Sequence, residues 1–210
     1  LLPNLRRLPL EDIAIVRIAS VASSDLVSAI SRELEKYVRG KIVTAKSVAH
    51  CAGVTNSYAE PQKLGVDRWL AIIAAYSCFQ APCIVIDAGS AITVDVVDGD
   101  GLHQGGWIVP GLYLQRNALI IGTAAVRFDE AVIPDLAAGR STAAAVQNGA
   151  LFMITAWLNT CVAALLEKYQ NAHIVLCGGD APAVSAHLNF AAVDWPDIVL
   201  DGLAMIPSGG

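Results

Sequence analysis

Apolar and polar positions along this chain fall into short runs that change period several times. Residues 13–21, IAIVRIASV, are apolar at most positions and rich in Ile and Val, the pattern of a buried strand. From Ser23 or Ser24, either of which suits an N-cap, apolar residues recur at 26, 27, 30, 34, 37 and 38, predicting an amphipathic helix that ends at Gly40. KIVTA (41–45) then reads as a short strand, and strand–helix–strand is the unit of a parallel sheet. Residues 49–65 keep neither period and contain Gly, Asn and Pro, so they form a loop long enough to suggest function. VDRWLAIIAAYSCF (66–79) is helical, with Asp67 in the first turn, where the helix dipole favours an acid. Three strands follow at 83–89, 91–97 and 101–111, read as successively antiparallel, and DGDG (98–101) gives a strong hairpin signal between the last two. Beyond them the pattern predicts a helix over 112–126, a loop over 133–141, and a long helix, or two meeting near Gly149, over 142–169. Residues 173–188 read as strand, glycine turn and helix, and DIVL (197–200) as a last short strand.

Composition narrows the function classes. The 210 residues are 55% hydrophobic and 16% charged, which suits a large core or extensive subunit contacts. A net charge of −5 gives no general attraction for nucleic acid or anionic membranes, so an anionic ligand must be held by local features. Five scattered cysteines without a Cys-x-x-Cys pair argue against a disulfide scaffold or zinc site and for a reducing, cytoplasmic setting. The first ten residues lack the apolar core of a signal peptide. The uncharged stretch between Arg140 and Glu167 approaches membrane-spanning length, yet Gln147, Asn148 and Asn159 interrupt it, so it is expected to be a central buried helix. The chain begins without Met and enters a strand-like run at once, which reads as a longer protein missing its N-terminal element.

Three strands in a meander followed by helix, strand and helix is the order of the ribonuclease-H-like half that actin-like ATPases carry in duplicate. The expected fold is therefore α/β, with residues 1–78 the remainder of an N-terminal half lacking its opening strands and 79–210 a C-terminal half.

Candidate chemistry clusters at a few points. A buried strand drives Asp87 to its tip, and an ionised carboxylate there is costly unless a cation or several donors meet it. Gly89 then lets backbone approach a phosphate and Ser90 offers a hydroxyl, although Asp-x-Gly-Ser also suits a tight hairpin with a solvated acid. In NSYAEPQKLGVDRWLA (56–71), Asp67 could take a proton from a substrate hydroxyl and Arg68 could pair with a substrate carboxylate, with Tyr58 as an aromatic wall. The same acid and arginine also suit an ordinary charged helix entry. GGWIVPG (105–111) fits turn chemistry, Ser141–Thr142 either an anion site or an N-cap, and CGGDAP (177–182) either an adenine-facing turn or a helix cap by Asp180. The four histidines stand in no metal-ligand spacing and are expected at surface or satisfied core positions.

The order of these segments is more specific than any one of them. Tyr58, GVDRW (65–69), DAGSAITVD (87–95), GGWIVPG, ST…NG and GGDAP together resemble the type III pantothenate kinase family from about Ile13 onward. The resemblance implies transfer of the ATP γ-phosphate, with Mg, to the primary hydroxyl of pantothenate, the first step toward coenzyme A. It implies Asp67 as proton acceptor and Tyr58, Gly65, Val66, Asp67, Arg68 and Thr142 as pantothenate contacts. It further implies Gly89 and Ser90 at the ATP phosphates, Asp87 as ligand of a monovalent cation (potassium or ammonium), and a cytoplasmic homodimer. Ser90 replaces the family's usual Thr, keeping the hydroxyl. The family's N-terminal Asp-x-Gly-Asn turn is absent, from which weak ATP binding and slow turnover are expected, to be checked by a steady-state kinase assay. Two other readings remain: a catalytically impaired homologue acting as a regulatory accessory factor, separable by pantothenate and ATP binding, and a sugar or polyphosphate enzyme of the same fold. In the last, Asp67→Asn would keep most of its activity.

Overall fold

The structure, a computed structural model, describes residues 12–123, 126–128 and 132–207. The N-terminal stretch through residue 11, and residues 124–125 of the helix expected over 112–126, lie outside the described residues. The predicted strand–helix–strand unit is present: β1 (Ile15–Ile18) pairs in parallel with β2 (Lys41–Thr44), and α1 (Ser24–Leu34) crosses between them. Two expectations are corrected here. The helix ends at Leu34 rather than Gly40, with Tyr37 and Val38 closing a turn on the Leu34 carbonyl. And β1 is half-buried along its whole length, because β2 is its one partner strand among the described residues.

The main sheet has the order β7-β6-β5-β8-β9. β5 (Cys83–Ala88), β6 (Ala91–Val97) and β7 (His103–Pro110) form the expected antiparallel meander, while β8 (His173–Cys177) joins β5 in parallel and β9 (Val193–Asp194) joins β8. Strand alternation sends Ile84, Ile86, Ile92, Val94 and Val96 to one face, where they meet Ile154, Leu158 and Val162 of α4 (Thr142–Lys168). This is the central helix the sequence suggested, unbroken at Gly149. It is long and apolar enough to cross a membrane by length and composition, and one face of it packs on the sheet. The opposite sheet face carries Cys83, Val85 and Val97 against α2 (Val66–Phe79), which is buried almost continuously from Arg68 to Tyr76. Burial pushes the Cys83 and Cys177 thiols up to about 12, so both behave as small apolar core residues.

The run DIVL is not a strand. Asp197 stands at the N-cap and Ile198–Met205 form a helix, α6, whose Ile198, Gly202 and Leu203 turn inward at helical spacing. α6 packs directly on α2: a Cβ at Gly202 would lie 2.1 Å from the Leu70 carbonyl oxygen. The segment 49–65 likewise holds more order than expected. β3 (His50–Cys51) and β4 (Val54–Thr55) make a small hairpin through Ala52 and Gly53, both at positive φ as a two-residue hairpin turn demands. That hairpin is tied to the β6–β7 turn by Thr55 N–H donating to the Gly101 carbonyl at 2.8 Å. Gly101 has φ +79°, and a Cβ there would be 2.2 Å from the Gly53 carbonyl oxygen, so glycine is required on both counts. The remaining helices are α3 (Leu112–Gly122), shorter than the sequence suggested, and α5 (Ala181–Ser185).

Candidate active site at the head of helix α2

Helix α2 enters from Gly65 with Asp67 and Arg68 in its first turn, directly above the sheet face that carries Asp87 and Asp95. Register explains the grouping. Asp95 lies opposite Val85, whose side chain is in the α2-facing core, and Asp87 is two residues on from Val85, so both acids leave the sheet toward α2. Asp67 accepts the Arg68 N–H at 2.8 Å, satisfying one of the donors exposed at a helix start and leaving acceptor capacity on the carboxylate. Burial first, and the nearby negative charge of Asp67 second, push the Asp87 carboxyl above its usual range. Asp67 thus stands close enough for its charge to act on Asp87.

Asp87 is half-buried at the end of β5, with Gly178 fitted tightly against it. Gly178 has φ +96°, and a Cβ on it would stand 2.4 Å from both Asp87 Oδ1 and the Ala88 carbonyl oxygen. An acid disfavoured in its charged form by desolvation and by a second acid suits a hard cation, which takes oxygen donors. On the other side of Asp87, Gly89 N–H donates to Ala91 O at 3.1 Å and Ser90 O accepts from Gly111 N–H at 2.9 Å, leaving the Ser90 side chain exposed. Here lies one reason for the glycine that ends GGWIVPG: a Cβ at Gly111 would meet the Gly89 carbonyl oxygen at 2.2 Å.

Arg68 is buried and forms a bidentate ion pair with Asp95, Nε to Oδ2 at 2.7 Å and Nη2 to Oδ1 at 2.6 Å. Burial alone would lower its pKa, but the hydrogen bonds and charge of Asp95 outweigh this and hold it above the ordinary value. Arg68 Nη1 also donates to the Tyr58 hydroxyl at 3.2 Å. His103, fully buried, places Nε2 3.0 Å from Asp95 Oδ1 and Nδ1 3.2 Å from Ser57 Oγ, and its ring stacks on Tyr58 with centroids 6.0 Å apart. The expectation of a satisfied core histidine holds for His103. The remaining glycines of the motif gain their reasons from this network. The β6–β7 register shifts between Asp95 and Val97, with Gly105 at φ +91° in the extra residue of the bulge. A Cβ on Gly106 would lie 2.5 Å from Asp95 Oδ1 and 2.8 Å from Arg68 Nη2.

The structure therefore joins Tyr58, Asp67, Arg68 and Asp87, all named from sequence, and adds Asp95, His103 and Ser57, which sequence reasoning missed as a group. Val66 turns its side chain into a core with Leu70 and Leu203, so only its backbone faces outward chemistry. Thr142 stands apart at the exposed start of α4, and the cap there is Ser141, whose Oγ accepts from Ala144 N–H at 3.2 Å. At the CGGDAP turn Asp180 occupies the N-cap position of α5 without a side-chain capping bond, and burial raises its pKa.

A meander with one acid near the end of β5 and another within β6, a parallel strand leading to a glycine turn, and a helix carrying Asp–Arg over the sheet define an α/β protein of the ribonuclease-H-like, actin-like ATPase fold class. The fold is shared with a Campylobacter jejuni protein described as a Baf family transcriptional activator, at TM-score 0.57 and 19% identity, covering 92% of this chain and 81% of that one. The sequence profile of the family described as type III pantothenate kinase matches residues 1–164. The type III pantothenate kinase of Pseudomonas aeruginosa (strain LESB58) is 38% identical over 194 residues, covering 90% of this chain and 78% of its own length. That of Azotobacter vinelandii is 37% identical over 201 residues, covering 91% and 80%. The chain belongs to the type III pantothenate kinase family.

Proposed function

We propose that this chain transfers the terminal phosphoryl group of ATP to the primary hydroxyl of pantothenate, giving 4′-phosphopantothenate and ADP in the first step of coenzyme A synthesis. The observation that carries the reading is the meeting, above one sheet face, of the residues that the family resemblance marks: Asp67 near enough to help raise the Asp87 carboxyl, with Arg68 and Tyr58 hydrogen-bonded to each other beside them. Asp67 accepts the hydroxyl proton as the new O–P bond forms, a carboxylate keeping acceptor capacity beyond the Arg68 N–H that it holds. Tyr58, the backbone of Gly65 and Val66, and Arg68 contact pantothenate, Arg68 through the N–H groups that Asp95 does not take. Gly89 and Ser90 lie against the nucleotide phosphates, where close backbone and a hydroxyl position the group in transfer. Asp87 would hold potassium or ammonium, and Mg accompanies ATP; these cations supply charge neutralisation on the polyanion.

A homodimer completes the reading. Tyr113, Leu114, Leu119 and Ile121 of α3 and Phe152 and Met153 of α4 leave a broad apolar surface exposed, and Thr142 at the head of α4 reaches pantothenate at a subunit boundary. The setting is the cytoplasm, where reduced cysteines fit. A coupled assay of pantothenate-dependent ADP release tests the reading. Asp67→Asn is expected to lower kcat by about 10²- to 10⁴-fold while leaving pantothenate binding within a few-fold. Pantothenate-dependent turnover unchanged in that variant overturns the assignment.

A further inference from the structure

We propose that Asp95 and His103 are positioning residues which fix the Arg68 guanidinium and the Tyr58 ring for the carboxylate of the substrate; the inference rests on the pantothenate reading above. A guanidinium is one rigid plane with five N–H donors. Asp95 takes the Nε and one Nη2 proton and Tyr58 one Nη1 proton, so an N–H remains on each terminal nitrogen for an acceptor outside the network. The direction of those two is set by where Asp95 stands. Asp95 in turn is seated against Gly106, a position where any side chain would strike both partners of the ion pair. A carboxylate only accepts, so His103 Nε2 carries a proton and donates to Asp95 Oδ1, while in the neutral ring Nδ1 accepts from the Ser57 hydroxyl. The same ring lies parallel to Tyr58, 20° between planes. One buried imidazole therefore meets Tyr58 directly and Arg68 through Asp95.

This arrangement has a chemical purpose that a lone arginine would lack. Asp95 cancels the Arg68 charge, so recognition of a substrate carboxylate depends on directed N–H groups rather than on net positive charge. Directed recognition fails when the plane tilts, which makes the supports of that plane the determinants of carboxylate specificity.

The experiment compares kcat/KM for pantothenate with kcat/KM for the analogue whose carboxylate is replaced by a hydroxymethyl group, in the full chain and in His103→Leu, His103→Gln and Ser57→Ala. The wild-type protein is expected to prefer the carboxylate. His103→Leu is expected to reduce that preference about tenfold, with the analogue's kcat/KM within about twofold of wild type and KM for ATP unmoved. His103→Gln, which can place an amide N–H near the site of Nε2, is expected to restore most of the preference. Ser57→Ala, which leaves the core filled, is expected to reduce it about threefold, and decides the matter should the leucine variant not fold. A preference unchanged in Ser57→Ala and in whichever histidine variants fold, or an equal loss on both substrates, overturns the inference. A wild-type protein that phosphorylates neither compound, or both alike, overturns the pantothenate reading itself and the inference with it.

Discussion

Asp95→Asn keeps the shape of a buried side chain and removes its charge, so it isolates what the ion pair contributes to stability. Asp95, Arg68 and His103 are 1%, 7% and 0% exposed, and the Asp95 carboxylate accepts three hydrogen bonds of 2.6–3.0 Å. The asparagine presents an amide N–H₂ toward a guanidinium that can only donate, and the Arg68 charge is left without a counter-ion out of water. Two unit charges about 4 Å apart interact by roughly 4 kcal/mol at an effective dielectric of 20. Removing one partner of a buried pair is known to cost about 3–5 kcal/mol. The two figures agree, and for a chain of this length each kcal/mol moves Tm by about 2–4 °C, so a fall of roughly 6–20 °C is expected. Urea and thermal unfolding followed by circular dichroism, without ligands, measure it. Removing both charges by Arg68→Met with Asp95→Leu should recover more than half of the loss, because no charge is then stranded. Glu60→Gln, which breaks the exposed Glu60–Lys63 pair, should barely move the melt. An Asp95→Asn loss below about 1 kcal/mol, or a double variant less stable than the single one, refutes the reasoning.

The Asp87 carboxyl is raised in the folded state, so the fold binds its proton more tightly than the unfolded chain does, and stability is lost as pH rises through the raised pKa. Asp87→Asn should therefore melt higher than wild type near neutral pH without potassium, the gap closing as pH falls below the ordinary carboxylate range. Potassium or ammonium should raise the wild-type Tm and leave the Asp87→Asn variant unchanged, a result that a chloride-matched lithium control would check. Gly111→Ala forces a Cβ into the Gly89–Ser90 turn, and steady-state kinetics should show KM rising more for ATP than for pantothenate.

The elements that touch their neighbours in sequence were legible: the β5–β6–β7 meander, the parallel β1–β2 unit, and helix α2 with its acid at the head. DIVL misled because Ile198, Val199 and Leu200, three apolar residues that suit a strand, are also the first turn of a helix whose inward residues, Ile198, Gly202 and Leu203, appear only over the longer window. The Ala52–Gly53 hairpin lacked the Asn-Gly or Asp-Gly signal and is stabilised from a distance, by Gly101. The partner of Arg68 was hidden for a different reason. Asp95 is 27 residues away, and its selection depends on a bulge and on the missing side chain of Gly106, neither of which has a local period. The repeated glycines in GGWIVPG were the available clue, since turn chemistry alone does not explain two of them inside a strand.

Helix α2 bears on how this protein could be inhibited. Asp67 and Arg68 ride on a helix whose following residues, Trp69 to Ala75, are sealed between the sheet and α6, with Gly202 against the Leu70 carbonyl. A compound that grips that end would press on side chains assigned above to the proposed chemistry or sealed in the core. Drug-resistant variants would thus have few single-codon routes there.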